Sequence, residues 1–197
     1  MTPPKKFHAA VDVRSAWLLD SQPPFIKRGK LTGRFAQGVR YEREVQEYLS
    51  TLALGRIDIR YLASPWIEFW DKSGKRWCQP DAILVQPAAH LGIIIEVKYQ
   101  HTEQAYFQLR HLYTPVVEKL FPDIQFGLVE IVHWHDNLTI FPEPYDFTPD
   151  PFSVRRADRI SVHIYNPKRE RVFEAGCGSS KGGHEEDGSL RLQKGAD

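Results

Sequence analysis

Two periods of hydrophobic residues alternate along the chain, and the switches between them mark its elements. Over residues 35–53, Val45, Leu49 and Leu52 fall at i, i+4 and i+7 while Arg40, Arg43, Glu44 and Glu47 take other faces. That pattern predicts an amphipathic helix, stopped by Gly55. From residue 66 the period shortens. Trp66-Ile-Glu-Phe-Trp70, the turn Asp71-Lys-Ser-Gly74 and a run over 75–85 predict a β-hairpin. Leu91-Gly-Ile-Ile-Ile-Glu-Val-Lys98 is apolar on both alternations, as in a central strand covered on both faces. Ala105, Leu109, Leu112 and Val116 stripe a second helix over 102–113, which Pro115 ends or kinks before a last turn to Phe121. Two more strands are predicted over 126–134 and 160–165. This order indicates an α/β fold with a mixed central sheet flanked by helices. Pro3, Pro4, Pro23 and Pro24 predict an irregular arm over 1–34. A single α/β domain is expected over 35–173, and the Gly-, Ser-, Lys- and Glu-rich end predicts a disordered tail over 174–197.

Composition narrows the class. Of 197 residues, 42% are hydrophobic and 26% charged, which supports a sizeable core. The formal charge of +1 excludes a histone-like polycation but leaves room for a basic groove. Two cysteines, Cys78 and Cys177, are too few for a disulfide scaffold or a four-thiolate site. Cys78 has no evident base beside it and reads as a buried thiol. His133 and His135 share a strand face without a third ligand, so neither a structural zinc nor an iron–sulfur cluster is expected. No apolar run approaches the roughly 18 residues of a membrane span, and Met1-Thr-Pro-Pro-Lys-Lys opens no leader. The expectation is a cytoplasmic chain with no membrane partner, in which the sequon Asn137-Leu-Thr139 has no meaning. Gly29-Lys30 lacks the upstream glycine and the following Ser/Thr of a phosphate loop.

The informative residues are charges where a core wants none. Glu96 and Lys98 share a strand face with Ile94. Asp81, fifteen positions before Glu96, shares one with Ile83 and Val85. Glu42 falls on the helix face of Gly38, Val45, Leu49 and Leu52. Plainer alternatives are a solvated edge strand and a glutamate that snorkels from the stripe's margin. Unpaired buried charge costs several kcal/mol, so three acids on core-facing surfaces are more simply explained by one shared cation. Oxygen-only ligands favour Mg²⁺ or Mn²⁺, which acidifies a bound water and clamps phosphate oxygens. A neighbouring lysine orients the water or stabilises developing charge.

Pro80-Asp81 with Glu96-Val97-Lys98 resembles the namesake motif of the PD-(D/E)XK nuclease superfamily, and Gly38-Val-Arg-Tyr-Glu42 is similar to the Gly-x-x-x-Glu helix of archaeal Holliday-junction resolvases and related members. The resemblance covers roughly residues 35–135. It implies that Asp81 and Glu96 ligate the metal with the Val97 main-chain carbonyl, that Glu42 ligates directly or through water, and that Lys98 serves the attacking water. The exonuclease-like branch carries a glutamine-and-tyrosine helix after the Glu-x-Lys strand, and Gln104, Gln108 and Tyr113 look similar, beside His101 and His111 in one polar stripe. Gln104 or Gln108 would then bond a phosphate or position the water, with Tyr113 stacking or packing nearby. A solvent-facing stripe is the plainer alternative. Lys27, Arg28, Lys30 and Arg34 form a basic approach that reads either as a solvated segment or as a phosphate-contacting arm. Arg155, Arg156, Arg159, Lys168, Arg169 and Arg171 make the C-terminal third basic. Trp66, Phe69, Trp70 and Trp77 read chiefly as cross-strand core pairs, with base stacking as the alternative.

The expected function is metal-dependent hydrolysis of DNA phosphodiester bonds, exonuclease-like in preference. Alternatives are a structure-specific endonuclease or resolvase, a hydrolase of a smaller phosphate ester, and a non-catalytic nucleic-acid-binding or assembly protein that keeps the fold. A homo-oligomer, the pathway (repair, recombination, restriction or a phage-borne role) and strand polarity stay open at this level.

Overall fold

The computed structural model describes residues 9–26, 29, 32–134, 146–154 and 158–167. Lys27, Arg28, Lys30, His135, the sequon, Arg155, Arg156, Lys168, Arg169, Arg171, Cys177 and the expected tail lie outside them. The elements are β1 (Ser15–Leu19), α1 (Gly33–Leu54), β2 (Arg60–Ala63), β3 (Trp66–Asp71), β4 (Gly74–Cys78), β5 (Ala82–Gln86) and β6 (Leu91–Gln100). There follow α2 (Glu103–Phe107), a π-helical segment (Gln108–Tyr113), α3 (Thr114–Leu120), β7 (Gln125–Trp134), β8 (Asp146–Phe147) and β9 (Ile160–Ile164). All belong to one compact unit that ends at Asn166.

A mixed six-stranded sheet runs β2-β5-β6-β7-β9-β8. The β2–β5 and β5–β6 pairs are antiparallel, and β6–β7, β7–β9 and β8–β9 are parallel. The predicted α/β class with a mixed, helix-flanked sheet is what the chain adopts. Strand β6 is central, and its two apolar rows explain why: Ile93, Ile95 and Val97 face α1 through Tyr41, Val45 and Leu49. Ile94 faces the other way, onto Tyr106, Leu109, Tyr113, Val116 and Val117. Glu96 and Lys98 continue the Ile94 row, so they lie on the α2–α3 side of a covered strand rather than on a solvated edge.

Three local expectations change. The 75–85 run is two strands in different sheets, because Pro80 has no N–H to donate and Gln79-Pro80-Asp81 breaks the ladder. The arm is not wholly irregular: β1 pairs antiparallel with β3, and β3 with β4, in a separate three-stranded sheet. Its inward row, Ala16, Leu18, Ile67, Phe69 and Cys78, closes the α2–α3 core. The helix over 102–113 is α-helical only to Phe107 and then widens into the π segment before Pro115 opens α3.

Candidate active site

Asp81 stands one step outside β5. The β5–β6 ladder ends with Ala82 opposite Ile95, so one further step would set Asp81 against Glu96. Its side chain takes over where strand pairing stops: Oδ2 accepts the Val97 N–H at 2.6 Å. The Asp81 carbonyl is fixed from the other side, accepting the Ser64 N–H at 2.8 Å and the Gln46 side-chain amide of α1. Gln46 is itself held by the Tyr61 hydroxyl. Glu42 is one helical turn before Gln46 on the same face, which places it beside Asp81. Its charge is among those that raise the Asp81 carboxyl.

Glu96 is 2% exposed, and Lys98 Nζ pairs with its Oε1. Its Oε2 and the Gln108 Oε1 are buried without a hydrogen-bond partner among the described residues. Tyr113, 3% exposed, donates its hydroxyl to the Gln79 carbonyl at 3.2 Å, accepts Gln108 Nε2 at 3.0 Å and lies close to Glu96. The π turn is why these two meet: it makes residues five apart, Gln108 and Tyr113, neighbours on one face.

Burial, then repulsion from Glu96 and Glu42, pushes the Asp81 carboxyl well above the usual range against the Val97 N–H and Lys98. Burial likewise raises Glu96, although Lys98 opposes it. For Lys98, burial would lower the ammonium's pKa, but Glu96, Asp81 and Glu130 outweigh it, and the net shift is upward. Carboxylates here outnumber the single ammonium, so the cluster attracts further positive charge.

The predicted residues divide clearly. Asp81, Glu96, Lys98, Glu42, Gln108, Tyr113 and the Val97 backbone come together. Tyr113 is inside, where it packs and cannot offer a ring face to a base. Gln104 is exposed on α2 and Arg34 exposed in the first turn of α1, and neither is held by a hydrogen bond to the cluster. Cys78 is buried, and burial pushes its thiol up to about 12.

Two participants were missed. Glu130 on β7 is opposite Glu96 in the parallel register and wholly buried, accepting from His101 Nδ1 at 2.7 Å and the Thr102 N–H at 3.4 Å. A carboxylate inside the apolar run 126–134 was the signal available for it, the same anomaly that flags Glu96. Gln46 carried a weaker one, its i+4 spacing from Glu42.

Among the described residues, no three His, Cys, Asp or Glu side chains are gathered tightly enough to enclose a metal ion as they stand. The donor set nevertheless fits a hard divalent cation: three carboxylates, all oxygen donors, with Glu96 Oε2 buried and unpaired beside them. Fold and site together define an α/β protein with an acid–lysine cluster at the end of its central antiparallel hairpin. No family model matches the chain, and neither the curated proteins nor the solved structures contain a match.

Proposed function

We propose that this protein is a metal-dependent nuclease that hydrolyses DNA phosphodiester bonds by water attack, acting from strand ends. The observation that carries the reading is that Asp81, Glu96, Glu42 and Lys98 act electrostatically on one another while one Glu96 carboxylate oxygen is buried without a hydrogen-bond partner among the described residues. A scaffold gains nothing from repelling acids held together, whereas a phosphodiester hydrolase needs such a cluster.

Asp81, Glu96 and the Val97 carbonyl would hold a Mg²⁺ or Mn²⁺ ion, with Glu42 ligating beside them or through water. When bound, that ion supplies charge neutralisation at phosphate oxygens and a more acidic water. Gln46 and Ser64 fix the Asp81 turn, and the Val97 N–H aims its carboxylate. Lys98 orients the attacking water and stabilises charge developing on the phosphoryl oxygens. Gln108, held by Tyr113 through its amide nitrogen, keeps a buried, unpartnered carbonyl oxygen that would serve as an acceptor for that water. The placement of Gln108 and Tyr113 at the acids favours the exonuclease-like reading over a resolvase-like one.

The test is a cleavage assay with Mg²⁺ or Mn²⁺ on end-labelled linear, closed circular and branched DNA. Linear DNA should shorten from its ends while circles resist. Asp81→Ala and Lys98→Ala should each lose at least about 100-fold in rate, the scale of removing one preorganised charge, with the circular-dichroism spectrum retained. Cleavage that survives both substitutions rejects this site. Efficient cutting of circles would shift the assignment to an endonuclease.

A further inference from the structure

The outer face of the three-stranded sheet is lined with tryptophan. Alternation turns Ser15, Trp17 and Leu19 of β1, Trp66, Glu68 and Trp70 of β3, and Lys75 and Trp77 of β4 away from the core. The registers set Trp17, Glu68 and Trp77 in one row and Ser15, Trp70 and Lys75 in the next. Trp17 and Trp70 are 50% and 42% exposed, and Phe25, exposed itself, meets Trp77 edge-on at 4.7 Å. A groove of about 330 Å³ runs beside Trp77, walled by Pro23, Pro24, Phe25, Glu68 and Lys75.

We infer that this face is a stacking platform for single-stranded DNA adjoining the proposed cleavage site. Tryptophans spread over neighbouring strands suit successive bases, since every base offers a π face. Cations are available for the backbone of the same ligand: Arg14, Lys72 and Lys75, all exposed, surround Trp70 in sequence and register, while Asp20 and Glu68 line the groove beside Trp77. Lys75 Nζ also sits 5.7 Å above the Trp77 ring and pairs with Glu68 at 2.8 Å. A second copy of this chain docked face to face would oppose those cations to their own images, which disfavours a symmetric dimer here. The chain that carries the platform also leads to the acids. Trp77 is four residues before Asp81, at most about 14 Å of chain, so a strand lying on the sheet can reach the cluster.

The choice of occupant rests on the nuclease reading, so binding and cleavage are measured apart. Binding of a fluorescent oligothymidylate of roughly 12 nucleotides is followed by anisotropy in EDTA, where no cleavage occurs. Base–aromatic stacking is worth about 1–3 kcal/mol, so the Trp17→Ala/Trp70→Ala double variant should bind at least about tenfold more weakly. The Trp17→Phe/Trp70→Phe variant keeps an aromatic surface and should retain most of the affinity, which separates stacking from damage to the fold. Unchanged oligonucleotide affinity in the alanine variant overturns the platform. So does sedimentation showing that the substitutions dissolve a dimer whose stability the oligonucleotide does not affect. Mg²⁺-dependent cleavage of a short blunt duplex is run alongside. If wild-type protein binds through the tryptophans but cuts nothing, the binding face stands and the cleavage site falls.

Discussion

Asp81 and Glu96 are held in a place that disfavours their charged forms, and this has a measurable signature. Their folded pKa values lie above the unfolded ones, so the stability they contribute is complete below the unfolded pKa, near 3.9 for Asp and 4.3 for Glu, and is lost as pH rises through the raised folded values. Between pH 5 and pH 8 these two groups should therefore cost the metal-free protein stability relative to a variant without the Asp81 charge. Asp81→Asn keeps an acceptor for the Val97 N–H and removes the charge. It should raise the melting temperature at pH 8 in EDTA, where each 1 kcal/mol corresponds to about 2–4 °C for a chain of this size, and the difference should vanish near pH 4. An Asp81→Asn protein less stable than wild type at pH 8 contradicts this account of the site. Lys98→Met should act in the opposite sense by stranding Glu96. A loss of about 3 kcal/mol in urea denaturation is expected, the low end for breaking a buried pair because the Lys98 side chain keeps 22% exposure. At this scale the sequence was legible for Asp81, Glu96 and Lys98, since charge in an apolar run is a local anomaly. Glu130 shows the same anomaly, but its role depends on His101 and the start of α2, which no window around residue 130 contains.

Between elements, the β5–β6 pair sets the separation of the two acids. Gly92 lies on that ladder opposite Val85, and an added Cβ would fall 2.3 Å from Phe126 Cε1 and 2.9 Å from the Leu84 carbonyl oxygen. Because one obstacle is backbone, Gly92→Ala should destabilise by about 1–3 kcal/mol, read by denaturant titration. The π segment works on the other side of the cluster. Tyr113→Phe removes the hydroxyl that joins Gln108 Nε2 to the Gln79 carbonyl, which frees the glutamine to swing from the acids. If the nuclease reading holds, the rate should drop about 100-fold, the lower end for loss of a positioned proton-transfer group, with an unchanged far-ultraviolet spectrum. A rate equal to wild type would leave Tyr113 a core residue and nothing more. Periodicity predicted α1, β6 and β7 well, because each is a long run with one clear period. It missed β1 and β2, which are short and gain their stability from neighbours, and it fused β4 with β5 across a proline whose consequence depends on which sheet each strand joins.

For the whole molecule, the acid cluster makes cation binding and folding one equilibrium. A divalent ion that binds only the folded chain should stabilise it by about 2.7 kcal/mol at a hundredfold excess over its Kd. Mg²⁺ or Mn²⁺ should thus raise the melting temperature, and Glu96→Gln should abolish the rise. An identical melting curve with and without these ions argues against a metal site. No described helix is long and apolar enough to cross a membrane.

What the sequence determined by itself is whatever depends on consecutive residues: the doubly apolar β6, the shared face of Ile94, Glu96 and Lys98, and the amphipathic α1 bearing Glu42. Strand and helix periods follow from backbone geometry, so no partner need be known. The tertiary structure alone decided that Gln46 of α1 holds the Asp81 turn with Glu42 beside it, that Glu130 lies next to Glu96, that Tyr113 turns inward and that Trp17 joins Trp70 on an open sheet face. Those meetings join residues about 34 to 53 positions apart. Only the burial gained when the whole chain closes selects them from many pairings with the same local pattern.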